Sequence, residues 1–157
     1  MTPVLDQIRQ LLADHQIQFR EVHHAPTRTS EESAAARGEP LHIGGKAILL
    51  KTDDAFRLFV MPADRKLDSA AVRQHLGVKK TRFATPEELL ALTGLVPGSV
   101  PPFGRPILDF DLYVDGAITR NDRIAFNAGS LTDSIVMAVN DYLKVAQPQV
   151  IACALTA

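Results

Sequence analysis

The stretch Gly44 to Met61, Gly-Gly-Lys-Ala-Ile-Leu-Leu-Lys-Thr-Asp-Asp-Ala-Phe-Arg-Leu-Phe-Val-Met, decides how the chain is read. Ala47 to Leu50 and Arg57 to Met61 are apolar runs of strand length, and Thr52-Asp53-Asp54 between them is a turn. The spacing predicts two neighbouring strands, with Lys46 at the start of a buried one. A lysine that follows two glycines and leads straight into an apolar strand suits the rim of a cleft. At an ordinary pKa of about 10.4 it is a cation, fit to bind phosphate or offset developing negative charge. Service as a general base would require that pKa to fall by several units.

Upstream, Thr2 and Pro3 open an amphipathic helix with Val4, Leu5, Ile8, Leu11 and Leu12 at helical spacing up to about Asp14. Ile17 and Phe19 alternate toward Val22 as a short strand, and residues His23 to Arg28 form a polar connection. Thr29 with Glu32 makes a capping box for a helix over Ser30 to Arg37, which Gly38 ends. Downstream, Asp68 caps a helix through Leu76, a strand falls near Arg82, and Thr85-Pro86-Glu87-Glu88 starts a helix carrying Leu89, Leu90 and Leu92. Leu108 to Val114 alternates strictly, Asp115-Gly116 is a hairpin signal, and Ala117 to Thr119 is expected to return as a strand. Ile124 to Phe126 is another strand. Ser130 or Thr132 is expected to cap a helix bearing Ile135, Val136, Val139 and Leu143, and the apolar run around Cys153 to finish the chain as a strand.

Strands mixed with helices, with hairpins among the strands, predict an α+β fold. Its sheet is mixed or mostly antiparallel and curled, with short helices packed outside it. The 157 residues, 46 % of them hydrophobic, fit one domain spanning residues 1–157. A net charge of -1 leaves no global drive toward nucleic acid. Locally, however, Arg65, Lys66, Arg73, Lys79, Lys80 and Arg82 against Asp64 and Asp68 leave +4, the best resting place for a phosphate backbone. No apolar run reaches the roughly 20 residues of a membrane helix, and the N-terminus lacks signal-peptide character, so a cytoplasmic protein without membrane contact is expected.

The histidines His15, His23, His24, His42 and His75 show no zinc-ligand spacing, and no Walker or dinucleotide pattern occurs, so neither metal nor cofactor is expected. Without a GxSxG elbow, neither Ser99 nor Ser130 reads as a nucleophile. What remains is the loop Gly94 to Gly104, GLVPGSVPPFG, whose glycines free backbone N–H groups for a ligand while its prolines stiffen it. Such a loop suits a carbonyl or oxyanion. Asn127-Ala128-Gly129-Ser130, placed ahead of the expected helix, would add a second set of free donors.

Taken in order, Thr29-Ser30-Glu31-Glu32 with its Ala run, Gly45-Lys46-Ala47, the basic segment with Leu76-Gly77, Thr93-Gly94 to Phe103-Gly104, and Asn127-Ala128-Gly129 resemble the YbaK/EbsC family. These proteins are stand-alone relatives of the editing insertion domain of bacterial prolyl-tRNA synthetase. The resemblance covers nearly the whole chain. It implies a barrel-like sheet and hydrolysis of the ester joining a wrong amino acid to tRNA, most readily tRNA for proline, with an aminoacyl-tRNA synthetase as a candidate partner. With no long heptad or symmetric patch in the sequence, monomer and homodimer both stay open. It further implies catalytic roles for Lys46 and for the G-x-x-x-P loop Gly98, Ser99, Val100, Pro101 and Pro102. Substrate-binding positions would be His24, Thr29, Gly45, Phe103, Gly104, Asn127, Ala128, Gly129 and Ser130, and the six cations named above would hold tRNA. The loop departs from many relatives at Pro101, where they carry serine, and so loses a hydroxyl and a backbone donor. The alternative is a non-catalytic regulatory module that keeps the pocket for an aminoacyl group or amino acid.

Overall fold

A computed structural model describes residues 2–156. The quoted stretch forms β2 (Gly45–Thr52) and β3 (Ala55–Pro62), paired antiparallel with Leu49 opposite Leu58. Both faces of this hairpin are covered, which is why its sequence is a nearly continuous apolar run instead of an alternation. Leu49, Leu58 and Val60 enter one buried cluster, while Leu50, Phe59 and Met61 enter a second on the opposite face.

The elements before and after the hairpin are α1 (Val4–Asp14), β1 (Phe19–His23), α2 (Ser30–Arg37), a short 3-10 turn at Leu41–Ile43, α3 (Ser69–Leu76), β4 (Thr81–Phe83), α4 (Pro86–Thr93), β5 (Leu112–Asp115), α5 (Gly116–Thr119), β6 (Arg123–Asn127), β7 (Asp133–Ala138), α6 (Val139–Ala146) and β8 (Gln149–Ile151). The caps predicted for α2, α3 and α4 form, whereas α1 follows Pro3 with no side-chain cap. Thr29 and Thr85 each accept from the backbone N–H three residues on, Asp68 accepts from Ala71 N–H, and Gly38, Gly77 and Gly94 end their helices in the left-handed region.

Among the described residues two sheets form, a five-stranded one ordered β4-β2-β3-β5-β8 and a three-stranded one ordered β1-β7-β6. The larger is mixed, since β5 runs parallel to both β3 and β8, and the smaller is antiparallel. The principal core joins Leu58, Val60 and Val114 of the larger sheet to Ile124, Phe126, Ile135 and Met137 of the smaller, with Ile8 and Leu12 of α1.

Three sequence expectations are corrected. Neither sheet closes into a barrel: among the described residues a single parallel bridge, Gly44 to Ala125, joins the two sheets, and one bridge is not a ladder. Asp115-Gly116 is no hairpin, and Ala117 to Thr119 is helical. The buried Asp115 carboxylate accepts from Ala117 N–H and from the N–H groups of Cys153 and Ala154, capping α5 while tying down the C-terminal segment. Finally, Ser130 and Thr132 start no helix. Residues 133–138 are the central strand of the smaller sheet, and α6 begins only at Val139. Ile135 and Val136 face opposite clusters, so two-sided burial mimicked helical spacing.

Candidate active site

A cleft of about 370 Å³ opens where the start of β2, the start of α2, the end of β4 and the loop before Val100 converge. Lys46, Gly98 and Val100 share its walls, along with Thr29, Gly45 and Asn127. The strand β2 begins on glycine where space is tight: a Cβ on Gly45 would lie 2.6 Å from Ile124 Cδ1, so any larger residue would push the buried Ile124 side chain of β6 aside.

Lys46 is half-buried, and its ammonium donates to the backbone carbonyl of Arg65 at 2.6 Å. Loss of solvent lowers its pKa from the ordinary value, opposed by Asp64 and Glu31 and helped by Lys66. Among the described residues the cleft walls carry three cationic side chains, Arg28, Arg37 and Lys46, and no Asp or Glu. This is an electrostatic environment for an anion.

Arg37 carries no signal in the sequence that marks it as a site residue. Only 8 % exposed, it donates from Nε to Ser134 Oγ at 3.0 Å and from Nη2 to Asn127 Oδ1 at 3.0 Å. Burial alone pushes its pKa down to about 10, with no carboxylate offsetting the loss of solvent. Both partners are neutral, which makes Arg37 a buried charge without a counter-ion among the described residues, at the wall of a cleft. An arginine does end the small-residue run Ser33-Ala34-Ala35-Ala36 of α2, but a terminal cation on a helix ordinarily reads as dipole complementation.

The network continues into the loop. Asn127 Oδ1 is taken by Arg37 and Ser134, so its amide Nδ2 is turned to donate to Gly98 O at 2.7 Å, and Gly129 N–H donates to Ser99 O at 2.9 Å. The Asn127 to Ser130 segment is therefore the turn between β6 and β7 that pins the loop, not a helix N-terminus. Ala128 N–H is spent on Asp133 O, and Ser130 Oγ bonds Thr132.

Between Pro97 and Pro102, the three prolines Pro97, Pro101 and Pro102 have no N–H, and Ser99 N–H is used on Val96 O. Gly98 and Val100 are the donors left, and both border the cleft. Ser99, Pro101, Pro102, Phe103 and Gly104 are buried away from it. Ser99 Oγ is engaged with Val96, and Pro102 O accepts from the buried Tyr142 hydroxyl at 2.6 Å. Phe103 packs edge-on against Phe126 and Tyr142. His24 also lies outside the cleft walls, with Nε2 bonded to Ser134 Oγ at 2.9 Å, so it reaches the site only through the network. Thr29 borders the cleft while its hydroxyl caps α2. The Cys153 thiol is buried and pushed up to about 12, which leaves it unreactive.

The six cations separate into two groups. Arg65 and Lys66 follow β3, and the Arg65 carbonyl holds Lys46. Arg73, Lys79, Lys80 and Arg82 border a second depression together with Lys51, a cation that stands outside the basic segment in the sequence.

The aminoacyl-tRNA editing domain model matches residues 24–145, a span that takes in α2, the β2–β3 hairpin, the loop and the β6–β7 turn. The chain belongs to the aminoacyl-tRNA editing domain family. Within that family it is 35 % identical over 147 residues to the multifunctional Ser/Thr-tRNA deacylase ProXp-y of Escherichia coli (strain K12), covering 90 % of this chain and 87 % of that protein. It is 34 % identical over 101 residues to the proline–tRNA ligase of Shouchella clausii (strain KSM-K16), a match over 64 % of this chain and 18 % of the ligase. The fold is also that of a crystal structure of a candidate trans-editing enzyme for prolyl tRNA synthetase, with a TM-score of 0.83, 23 % identity and 99 % of each chain covered.

Proposed function

We propose that this editing-domain protein is an aminoacyl-tRNA deacylase, a hydrolase that cleaves in trans the ester of a mischarged tRNA. The observation that carries the reading is the shared cleft: Lys46, Gly98 and Val100 line one cavity with no Asp or Glu among its described walls, and the Gly98 and Val100 N–H groups have no backbone partner. The ProXp-y relative, whose name is that of a Ser/Thr-tRNA deacylase, supports the same chemistry. We take residues 1–157 as a single domain serving this one site.

In this reading Lys46 and Arg37 hold the anionic 3' end of the RNA. The Gly98 and Val100 amides receive the ester carbonyl, so that charge developing on its oxygen meets donors already in place. Ser99, Pro101, Pro102, Phe103 and Gly104 hold the loop rigid rather than touch substrate. Pro101 fits that role, since its ring stiffens the loop just past Val100. No side-chain nucleophile is assigned. Water attacks the carbonyl carbon, positioned by a hydroxyl of the terminal ribose, the C–O bond to the ribose breaks, and the proton that the water gives up passes to the departing ribose oxygen, which releases the amino acid and free tRNA. The Thr27 and Ser33 hydroxyls, bonded to each other at 2.8 Å, line the cleft and supply polar groups to read a hydroxylated or small side chain.

The test is a panel of mischarged tRNAs carrying seryl, threonyl, alanyl or cysteinyl esters, with tRNA for proline among the acceptors. Release of amino acid above the spontaneous rate supports catalysis. Saturable binding of the panel with no release selects the regulatory module instead.

A further inference from the structure

Phe83 is an anomaly of the surface. The residue is 59 % exposed, yet it borders the Lys46 cleft beside Ala84, Pro86 and Leu89. At the other end of the same strand, Thr81 and Arg82 border the second depression, of about 520 Å³, with Lys51, Asp53, Arg73, Lys79 and Lys80. The two cavities are thus joined by β4, whose first and last residues are only about 7 Å apart. The strand register sets Lys51 across from Arg82 and Leu50 across from Phe83.

Charge in the second depression is one-sided. Five cations face the single carboxylate of Asp53, and that carboxylate is occupied in accepting the backbone N–H groups of Lys79 and Lys80 at 2.9 to 3.3 Å. These bonds fix the turn that carries both lysines. Arg82 is tied to Glu88 at 2.7 and 2.9 Å, whereas Lys79 and Lys80 are exposed with no acidic partner among the described residues. An exposed aromatic side chain at a cleft mouth, one residue along β4 from a cationic trough, matches a ligand that alternates flat rings with phosphates. A duplex offers no unstacked base to such a ring, but a single strand does.

We propose that Phe83 is a stacking platform for the terminal base of an acylated RNA 3' end, and that the preceding unpaired nucleotides follow β4 with their phosphates in the trough formed by Lys51, Arg73, Lys79, Lys80 and Arg82. This deepens the deacylase reading and rests on it for the acyl group, but not for the RNA. The trough fixes the polarity of the strand. The acylated ribose enters beside Lys46, and the 5' direction leads toward Lys79 and Lys80.

The experiment measures binding of uncharged, fluorescein-labelled single-stranded RNA ending in CCA, and of the same strand with an abasic 3' residue, by anisotropy. Wild-type protein is expected to prefer the intact end. Phe83→Ala weakens binding of that strand roughly 5- to 100-fold and removes the preference, Phe83→Leu does the same, and Phe83→Tyr retains it. Lys79→Gln with Lys80→Gln weakens both strands alike and makes log Kd less steep in log salt by roughly 0.7 for each phosphate no longer neutralised. Thermal melts of every variant check the fold. Wild-type protein that binds neither strand, Phe83→Ala that binds both as wild type does, or an unchanged salt slope would overturn the proposal. So would a Phe83→Ala effect confined to oligomeric state in sedimentation, which assigns the ring to a protein contact. Since no ester is involved, a tRNA panel left uncleaved by a protein that passes this test removes the deacylase reading alone. Cleavage with RNA affinity insensitive to Phe83 removes this inference alone.

Discussion

Lys46 and Arg37 are both cations at one cleft, but removing them has different consequences. Lys46 is held by a single carbonyl, so Lys46→Ala strands no buried donor and lifts a desolvated charge. The variant is expected to melt at or above the wild-type temperature, while single-turnover release of amino acid falls by at least about 100-fold, the scale of losing one preorganised charge-stabilising group. Arg37 holds two acceptors at once. Arg37→Lys keeps the charge but cannot reproduce the fork to Asn127 and Ser134, leaving Asn127 free to turn away from Gly98 O. Its expected signature is a loss of about 1 to 3 kcal/mol of stability, read from denaturant unfolding, together with roughly 10-fold slower turnover at saturating substrate. The sequence pointed to Lys46 because glycines and an apolar strand frame it. Arg37 was illegible because its significance lies in Asn127 and Ser134, about ninety residues away, and no local pattern carries that distance.

The loop is an element whose two halves answer to different constraints. At Gly98, φ is +88°, and an added Cβ would meet only Leu131 Cδ2 at 3.5 Å, so the cost of Gly98→Ala is backbone strain of roughly 1 to 2 kcal/mol at a residue bordering the cleft. At Gly104 an added Cβ would lie 2.6 Å from the backbone oxygen of Phe110, which cannot yield without moving the chain. Gly104→Ala is therefore expected to lower the melting temperature more, and Gly98→Ala to lower turnover out of proportion to its melt; matched melts and single-turnover rates compare the two. The helices α1 to α4 and the central hairpin were legible because periodicity, caps and turns are local signals. The β6–β7 turn was misread because Ile135, Val136, Val139 and Leu143 satisfy helical spacing while Ile135 and Val136 in fact serve opposite faces of a strand. The parallel placement of β5 could not be seen at all, since Asp115 chooses its partners at the far end of the chain.

At the scale of the whole molecule, acidic groups outside the cleft set the response to pH. Glu88 is held down to about 2, first by the Arg82 guanidinium and then by Thr85 N–H, and Asp133 is lowered chiefly by His23. In the unfolded chain such carboxyls titrate near 3.9 to 4.3. Their contribution to stability is thus complete above that range and is lost as pH falls toward the folded values. Melting temperature is expected to decline below about pH 4, and Glu88→Gln to flatten that decline slightly, the pair being solvent-exposed. The resemblance carried the overall α/β architecture but not its closure, because whether two sheet edges meet depends on a ladder that composition does not encode.

In the proposed mechanism an ammonium and two loop amides act together on one acyl ester. Single-turnover deacylation of mischarged tRNA by wild-type protein and Lys46→Ala side by side tests this without intermediaries. Release by the wild type and only the spontaneous rate from a folded Lys46→Ala is the expected outcome; equal release by both proteins would show that the ammonium takes no part.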